Sequence, residues 1–411
     1  MEYLLYTDIS LKNNNMEEKQ ISLWQDEEIP VSTYNPNKFL KDFVNMEKLS
    51  QEIREGLVRC QSKFIKENTK EDMQRNLKEK KQVYIQENHE FFDQYSDSVY
   101  RLISQPIDYT LVEPELVMAK TKTDQAIWEY LRTIVAVMPN SGIVGRRIKY
   151  FLKDKVSGNI LGIFQLSSDF AILGCRDKYI GWNHDLKFKS NKINHILNLS
   201  VCVPLQSWGY LTGGKLMLML SLSKQVQDDF KMLYGDDLIG VSTTSLYGKS
   251  AQYNRVKEFK FLGYTEGFGN VHIDKGLYEK IKLYLKCIGK FKDEGSNVKM
   301  TQIKNASDEV FKVDRSMLDD LGIDRNDSIR HGNPRGVYFG WTCNEERGKA
   351  FLKNEIAIDQ VLIYPRTVED IFKYWKERWF WRRWDNPEIR SKVLAFNLKE
   401  YRINDNLMFD F

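Results

Sequence analysis

The sequence predicts an α/β fold built on a mixed sheet, and two stretches carry that prediction. The first spans residues 194–269. It opens on a Leu- and Val-rich run over residues 196–203, closed by Pro204, and passes through a polar and aromatic loop to Gly213 and Gly214. A helical pattern follows over residues 215–234, stops at Gly235, and gives way to a second apolar run over 238–244. Strand, glycine loop, helix and strand in that order read as a βαβ unit, which requires parallel pairing. The second stretch is a hairpin. Residues 146–153 partly alternate charged and apolar side chains, Asp154, Ser157, Gly158 and Asn159 supply turn chemistry, and residues 160–166 return as a strand. A parallel unit beside an antiparallel hairpin makes the sheet mixed.

The remaining elements follow in order. Residues 1–110 form an N-terminal extension and helical region, with one short strand over residues 3–6. Within it Phe39, Phe43, Met46, Leu49, Ile53 and Leu57 recur at three- and four-residue spacing, one stripe of a helix. Lys78, Lys80 and Lys81 sit in a heavily charged stretch that reads as the solvated face of packed helices. Residues 107–120, bracketed by Pro106 and interrupted by Pro114, read as a connector. Residues 125–137 are helical again. The α/β core spans 111–289 and ends on a helix over 275–287. Residues 290–336 form a charged linker and insert, and residues 330–339, rich in Gly, Pro and Arg, read as a loop. Residues 337–411 form a helix-rich C-terminal cap, in which residues 371–384 hold four of the nine tryptophans.

Composition narrows the class. With 42% apolar and 13% aromatic residues in 411, the chain has the material of a large core and is not disordered. The net charge of +4 conceals basic clusters. Such clusters either meet nucleic acid or solvate a face, and net charge does not choose between these. Five cysteines, odd in number and far apart, suggest a reducing compartment without a disulfide framework. No CxxC or HExxH spacing occurs and the five histidines are scattered, so no metal site is expected. The N-terminus lacks a secretory pattern, and the most apolar run, residues 216–222, is too short to span a bilayer. A soluble, cytoplasmic protein is the expectation.

Four motifs carry candidate chemistry. Gly213 and Gly214, just ahead of Lys215, offer free backbone N–H groups to an anionic phosphate, or simply a tight turn at a helix start. Arg176 and Asp177 can orient a substrate through charge-assisted bonds, or pair with neighbouring charges at a strand end. Cys175 has no histidine beside it and reads as a packed thiol. Residues 247–255 are the densest: Tyr247, Gly248, Lys249, Ser250, Gln252, Tyr253, Asn254 and Arg255 gather phenols, an ammonium, a hydroxyl, amides and a guanidinium. Gly248-Lys249-Ser250 is not a P-loop, because the glycine required five positions earlier is Thr243. Phosphate or base contacts from this segment stand against the simpler reading of a capped helix with an ordinary polar face. In the Trp-rich stretch, Trp375 and Trp379, like Arg378 and Arg382, are one α-helical turn apart. Aromatics interleaved with arginine stack bases and bind phosphates, or latch the segment onto the core with arginines at the rim.

These residues resemble two known patterns. The hairpin, strand, glycine loop and helix are similar in order to the acyl-CoA-binding core of the GNAT acetyltransferase fold. The pyrophosphate fingerprint of that fold, Gln/Arg-x-x-Gly-x-Gly/Ala, is half matched by Gln206 and Gly209, with Leu211 in the last position. As an ordered set, residues 176–182, the strand 196–204 ending in Val-Pro, the helix end 228–235, and residues 247–255 and 262–269 resemble the DruA family of the Druantia anti-phage system. That likeness covers roughly residues 145–285, joined by 336–340. It departs where many family members carry Asn-Leu-Ala-Ser and this chain has Leu205-Gln206-Ser207-Trp208. The DruA resemblance implies a phage, prophage or mobile-element setting, DNA as a partner, and phage or defence proteins as further partners.

Three functional readings result. In the first, a GNAT-like group transferase of the acyltransferase type acts on nucleic acid. Acyl-CoA would lie on Gln206, Gly209, Gly213, Gly214 and Lys215, with Asp177, Tyr247, Tyr253 and Asn254 as orienting or acid–base groups. Arg176, Lys249, Ser250, Arg255, Arg378 and Arg382 would contact the nucleic acid. In the second, a non-catalytic DNA-binding component uses the same basic and aromatic groups. The third is a structural or cargo protein of a virion.

Overall fold

A computed structural model describes residues 44–65, 78, 81–103, 108–136, 145–246, 248–265, 271–273, 275–289, 302–304, 309–313 and 334–396. The strand expected over residues 3–6 and the linker over 290–297 lie outside these. The centre is a mixed seven-stranded sheet in the order β1-β2-β3-β4-β5-β10-β6. Its strands are β1 (Pro114–Met118), β2 (Arg147–Asp154), β3 (Ile160–Ser168), β4 (Ile196–Pro204), β5 (Gly240–Ser245), β6 (Phe259–Tyr264) and β10 (Gly336–Trp341). Every pairing is antiparallel except that of β4 with β5. A small antiparallel sheet of β7 (Val271–Ile273), β8 (Gln302–Lys304) and β9 (Glu309–Val313) stands apart from it. Among the described residues no helix is long and apolar enough to cross a membrane.

The hairpin forms as its sequence predicts, with Tyr150 opposite Phe164 and Leu152 opposite Gly162. Its turn is built by Asp154. One carboxylate oxygen accepts from Glu113 N (3.0 Å) and the other from Ser157 N and Oγ (3.1 and 2.6 Å), while Gly158 takes the left-handed φ of 73°. Residues 107–120 hold a strand where a connector was expected. Pro114 is the first residue of β1, and β1 is an edge strand, so its missing N–H costs the sheet nothing. The same holds for residues 330–339, expected as a loop. From Gly336 onward they form β10, which pairs with β5 on one side and β6 on the other. A Cβ on Gly336 would collide with the carbonyl of Gly248, and one on Gly340 would sit 2.8 Å from the Phe259 ring. The glycines that suggested a loop are therefore what lets this strand pack so closely.

Helices cover both faces of the sheet. The N-terminal region supplies α1 (Met46–Ile65) and α2 (His89–Leu102). Helix α3 (Lys122–Val135) starts at a capping box, with Asp124 N donating to Thr121 Oγ1 and Thr121 N to the Asp124 carboxylate, each at 3.0 Å. It lies, with α4 (Gly174–Ile180), over the face that carries Lys149, Gln165, Ser167, Asn198 and Ser242. The other face carries Gly162, Cys202, Thr243 and Tyr338. Over it lie α5 (Gln206–Tyr210), α6 (Gly213–Leu220) and α7 (Lys224–Tyr234). One helix was expected over residues 215–234; Ser221, Leu222 and Ser223 break it. Ser221 Oγ donates back to Leu218 O (2.6 Å), and Ser223 Oγ accepts from Val226 N (3.4 Å), capping α7. Every residue of α6 is buried, which suits an apolar helix enclosed on all sides. After β6 come α8 (Lys275–Cys287), α9 (Glu345–Leu352) and α10 (Val368–Trp375), then α11 (Trp381–Trp384) and α12 (Pro387–Leu394).

Candidate functional site

Two neighbouring strands of the sheet part company at one place, and the densest sequence motif lies on it. Strands β4 and β5 pair only through Ile196–Gly240, Leu197–Val241 and Asn198–Ser242. Beyond Asn198, β4 runs on to Pro204 and β5 to Ser245 without pairing to each other, so the two strands part. Side chains take over the vacated backbone positions. Thr243 Oγ1 donates to Leu199 O (3.0 Å), and Gln252 Nε2 donates to Cys202 O (2.9 Å). Burial pushes the Cys202 thiol up to about 12, against the opposing effect of Gln252.

The start of α6 overhangs this parting. Its glycines make room for protein: a Cβ on Gly214 would lie 2.8 Å from the Gln252 side chain, and one on Gly213 would lie 2.9 Å from Trp208 O and 3.0 Å from Pro204 Cβ. Lys215, only 8% exposed, turns its ammonium onto the loop of residues 248–255. Its Nζ donates to the carbonyls of Ala251 (2.5 Å), Asn254 (2.6 Å) and Gln252 (3.2 Å). Burial, with the nearby Arg255 charge, draws the Lys215 amine down to about 8. The same loop is held from β10: Tyr338 OH accepts from Ser250 N (2.9 Å) and donates to Asn254 Oδ1 (3.0 Å), and the Tyr253 ring meets Tyr338 edge to face at 5.2 Å. Burial raises the Tyr253 phenol well above its ordinary value. Two non-glycine residues beside Lys215, Thr212 (φ 63°) and Arg255 (φ 66°), adopt the left-handed conformation, a cost that only tight surroundings sustain.

The fold thus gathers Gly213, Gly214, Lys215, Ser250, Tyr253, Asn254 and Arg255 in one place. Lys249 borders it, with its ammonium 4.6 Å from the Phe261 ring centroid. Gly209 sits in α5, where a Cβ would lie 3.8 Å from Pro204 Cγ, an ordinary contact. Gln206 begins α5, but its side chain, like the whole of Tyr247, lies outside the described residues.

Arg176 and Asp177 are elsewhere, on the opposite face, and their motif is the helix α4. The Arg176 side chain is 0% exposed. Its guanidinium donates to Asp169 Oδ2 (2.6 Å), Phe170 O (2.9 Å) and, through Nε and Nη2, Asp177 Oδ1 (2.9 and 2.6 Å). Burial opposes its charge, but Asp169 and Asp177 hold it above the usual range. Lys187 Nζ closes the network on Asp177 Oδ2 (2.7 Å), and Ser242 Oγ donates to Asp169 Oδ1 (2.6 Å). With its surface fully enclosed, Arg176 does not reach a nucleic acid in this structure. The half-buried Cys175 thiol donates to Tyr264 O (2.9 Å).

Sequence reasoning did not single out Cys202, Thr243 or Tyr338 for this site. The Gly336–Gly340 run around Tyr338 was the available signal, since glycines on both sides of aromatic residues suit a strand packed against other backbones. On the other face of the sheet Asn198 was not singled out either. It is 8% exposed and its Oδ1 has no hydrogen-bond partner.

The C-terminal cap brings the Trp-rich segment to the same side. Trp375 is buried and its Nε1 donates to Thr212 O (3.1 Å), tying the segment to the start of α6. Arg378 and Arg382 are exposed, and the Arg378 guanidinium lies 5.3 Å from the Trp379 ring centroid.

Residues 61–354 match the family described as Druantia protein DruA. A curated relative, the Druantia protein DruA of Escherichia coli (strain UMEA 4076-1), is 27% identical over 318 residues, covering 72% of this chain and 75% of the relative. No solved structure matches.

Proposed function

We propose, on the premise that this chain belongs to the Druantia protein DruA family, that it works in anti-phage defence as a group-transfer protein acting on or at nucleic acid. Other proteins of the defence system would be its partners. The observation that carries this reading is the parting of β4 and β5. An acyl-CoA arm is an extended chain with amide groups, and the edge of β4 beyond Asn198, where Thr243 and Gln252 side chains now hold Leu199 O and Cys202 O, would receive it as an added strand once they are displaced. The single parallel step, overhung by a helix start, is the arrangement that makes the sheet GNAT-like in this reading. The likeness is architectural, and architecture alone does not settle chemistry.

Fit at the helix start is conditional. Gln252 occupies the Cys202 carbonyl and Lys215 is engaged by three carbonyls of residues 251–254. In the conformation described, Gly213, Gly214 and Lys215 therefore face protein rather than a diphosphate, and the loop must withdraw before a cofactor can lie there. Tyr253 and Asn254, which the same loop holds against Tyr338, likewise face protein.

That engagement of Lys215 favours a second reading, a defence component that binds nucleic acid without transferring a group. A thermal melt of the full chain separates the two, run with millimolar acetyl-CoA in one arm and duplex or single-stranded DNA in another. A ligand at a hundredfold excess over its dissociation constant adds about 2.7 kcal/mol, a shift of a few degrees. The transferase reading expects a rise with acetyl-CoA. No rise with acetyl-CoA, beside a salt-sensitive rise with DNA, overturns it in favour of the second.

A further inference from the structure

A π turn in the Trp-rich segment decides which aromatic residues enter the core. Between α10 and α11, residues Lys376–Phe380 form this wider turn. In a continuous α-helix Trp379 would follow Trp375 on the buried stripe. The extra residue moves Phe380 into that place instead: its ring lies 5.5 Å from that of Trp375 and it is 1% exposed. Trp379 is turned outward, half-buried, with its ring edge to face with Tyr374 at 5.7 Å and 89°. π turns are uncommon and frequently mark functional positions.

Cations surround this displaced pair. Lys215 Nζ and the Arg378 guanidinium lie 5.8 and 5.3 Å from the Trp379 ring centroid, and Lys257 Nζ and the Arg366 guanidinium lie 4.8 and 5.9 Å from that of Tyr374. Two of them are engaged: Lys215 with the loop carbonyls, and Arg366 with Glu258 (2.6 Å). Lys257 and Arg378 are exposed, as is Arg255 on the loop that Lys215 holds, and among the described residues none of the three has a carboxylate partner. Glu377 is the one acid within residues 371–384, and it is exposed.

We infer that Tyr374 and Trp379, flanked by Lys257, Arg378 and Arg255, form a stacking platform for single-stranded nucleic acid. This deepens the reading above and rests on its claim that the protein acts at nucleic acid. The chemistry favours single strands over duplex. Aromatic rings bind nucleic acid by stacking on base faces, and a duplex hides those faces between its own pairs, whereas cations alone follow phosphates in either form. The platform also adjoins the parting of β4 and β5 through Lys215, which contacts both the loop and Trp379.

The test is fluorescence anisotropy of the full chain with a labelled oligothymidine of about 15 nucleotides, a duplex of the same length, and polyglutamate as competitor. The single strand should bind more tightly than the duplex, with affinity falling between about 50 and 200 mM salt. Trp379→Ala should weaken single-strand binding about 10- to 100-fold and leave duplex binding nearly unchanged. Lys257→Gln and Arg378→Gln, which remove no buried surface, should each reduce the salt slope by about one. Equal binding of both DNA forms, no effect of Trp379→Ala, or full displacement by polyglutamate overturns the platform. If the wild type binds neither form, the nucleic-acid reading itself fails. If only the platform fails, the acetyl-CoA shift of wild type and Trp379→Ala remains as an independent measure of the transferase reading.

Discussion

Arg176 is a residue whose sequence context suggested a ligand contact and whose surroundings give it another task. In the strand-end motif it looked available, with Asp177 beside it. In the fold it is the shared partner of two carboxylates, Asp169 from the end of β3 and Asp177 from α4, and so fastens the helix to the sheet. Replacing it by Met leaves two carboxylates short of positive charge, with Lys187, Ser242 and the backbone N–H groups of Phe170 and Leu173 as partners that remain. Removing one member of a buried ionic cluster costs about 3–5 kcal/mol. Urea unfolding of Arg176→Met should show that loss as a lower midpoint. The variant that remains folded should bind DNA as the wild type does. A fall in DNA affinity with unchanged stability would instead place Arg176 at a ligand. The residues of the 247–255 motif were legible because so many polar types crowd into so few positions. Their partners were not, because Lys215, Cys202 and Tyr338 come from other elements, and only tertiary packing brings them to Gln252, Ser250 and Asn254.

Elements were read well where local chemistry and packing agree, and poorly where packing overrode it. Strand β4, the hairpin β2–β3 and the capped α3 carry their signals locally. Pro114 and the glycines of β10 are breakers by local propensity, yet an edge position excuses the first and close backbone contact requires the others. The π turn left no periodic trace at all, since it depends on Phe380 fitting the core better than Trp379. That dependence is measurable. Phe380 packs against Trp375, Trp381 and Trp384, so Phe380→Ala should open a cavity and cost about 3–5 kcal/mol, while Trp379→Ala, at the half-exposed edge, should cost well under half as much. Thermal melts of the two variants check the order. The reverse order would mean that Trp379, and not Phe380, anchors the segment, and would remove the structural reason for its outward turn.

At the scale of the molecule, the sheet interleaves distant parts of the sequence. The α/β core read over residues 111–289 contains β1 to β7, but the strand between β5 and β6 is β10, from residues 336–341. Without it β5 and β6 have no partner on their facing edges, and without the residues beyond 289 the smaller core around Ile180, Trp182, Phe339 and Phe351 loses five of its nine buried members. The Trp-rich segment adds Trp375 and Phe380 to the main core, above α6. The C-terminal part thus completes the fold rather than decorating it, and the site inherits that dependence, because Tyr338 holds Ser250 and Asn254 from β10. A chain ending at residue 289 should accordingly be insoluble or expose apolar surface, as unpaired strand edges aggregate. Co-expression with a second chain of residues 290–411 should restore a soluble complex that copurifies in equal amounts and melts cooperatively. A soluble, cooperatively melting 1–289 fragment would show instead that residues 1–289 form a domain of their own, with β10 a removable clasp. The loop at the β4–β5 parting would then be free to open by release of one strand, which would make the access that acyl-CoA requires far easier to grant.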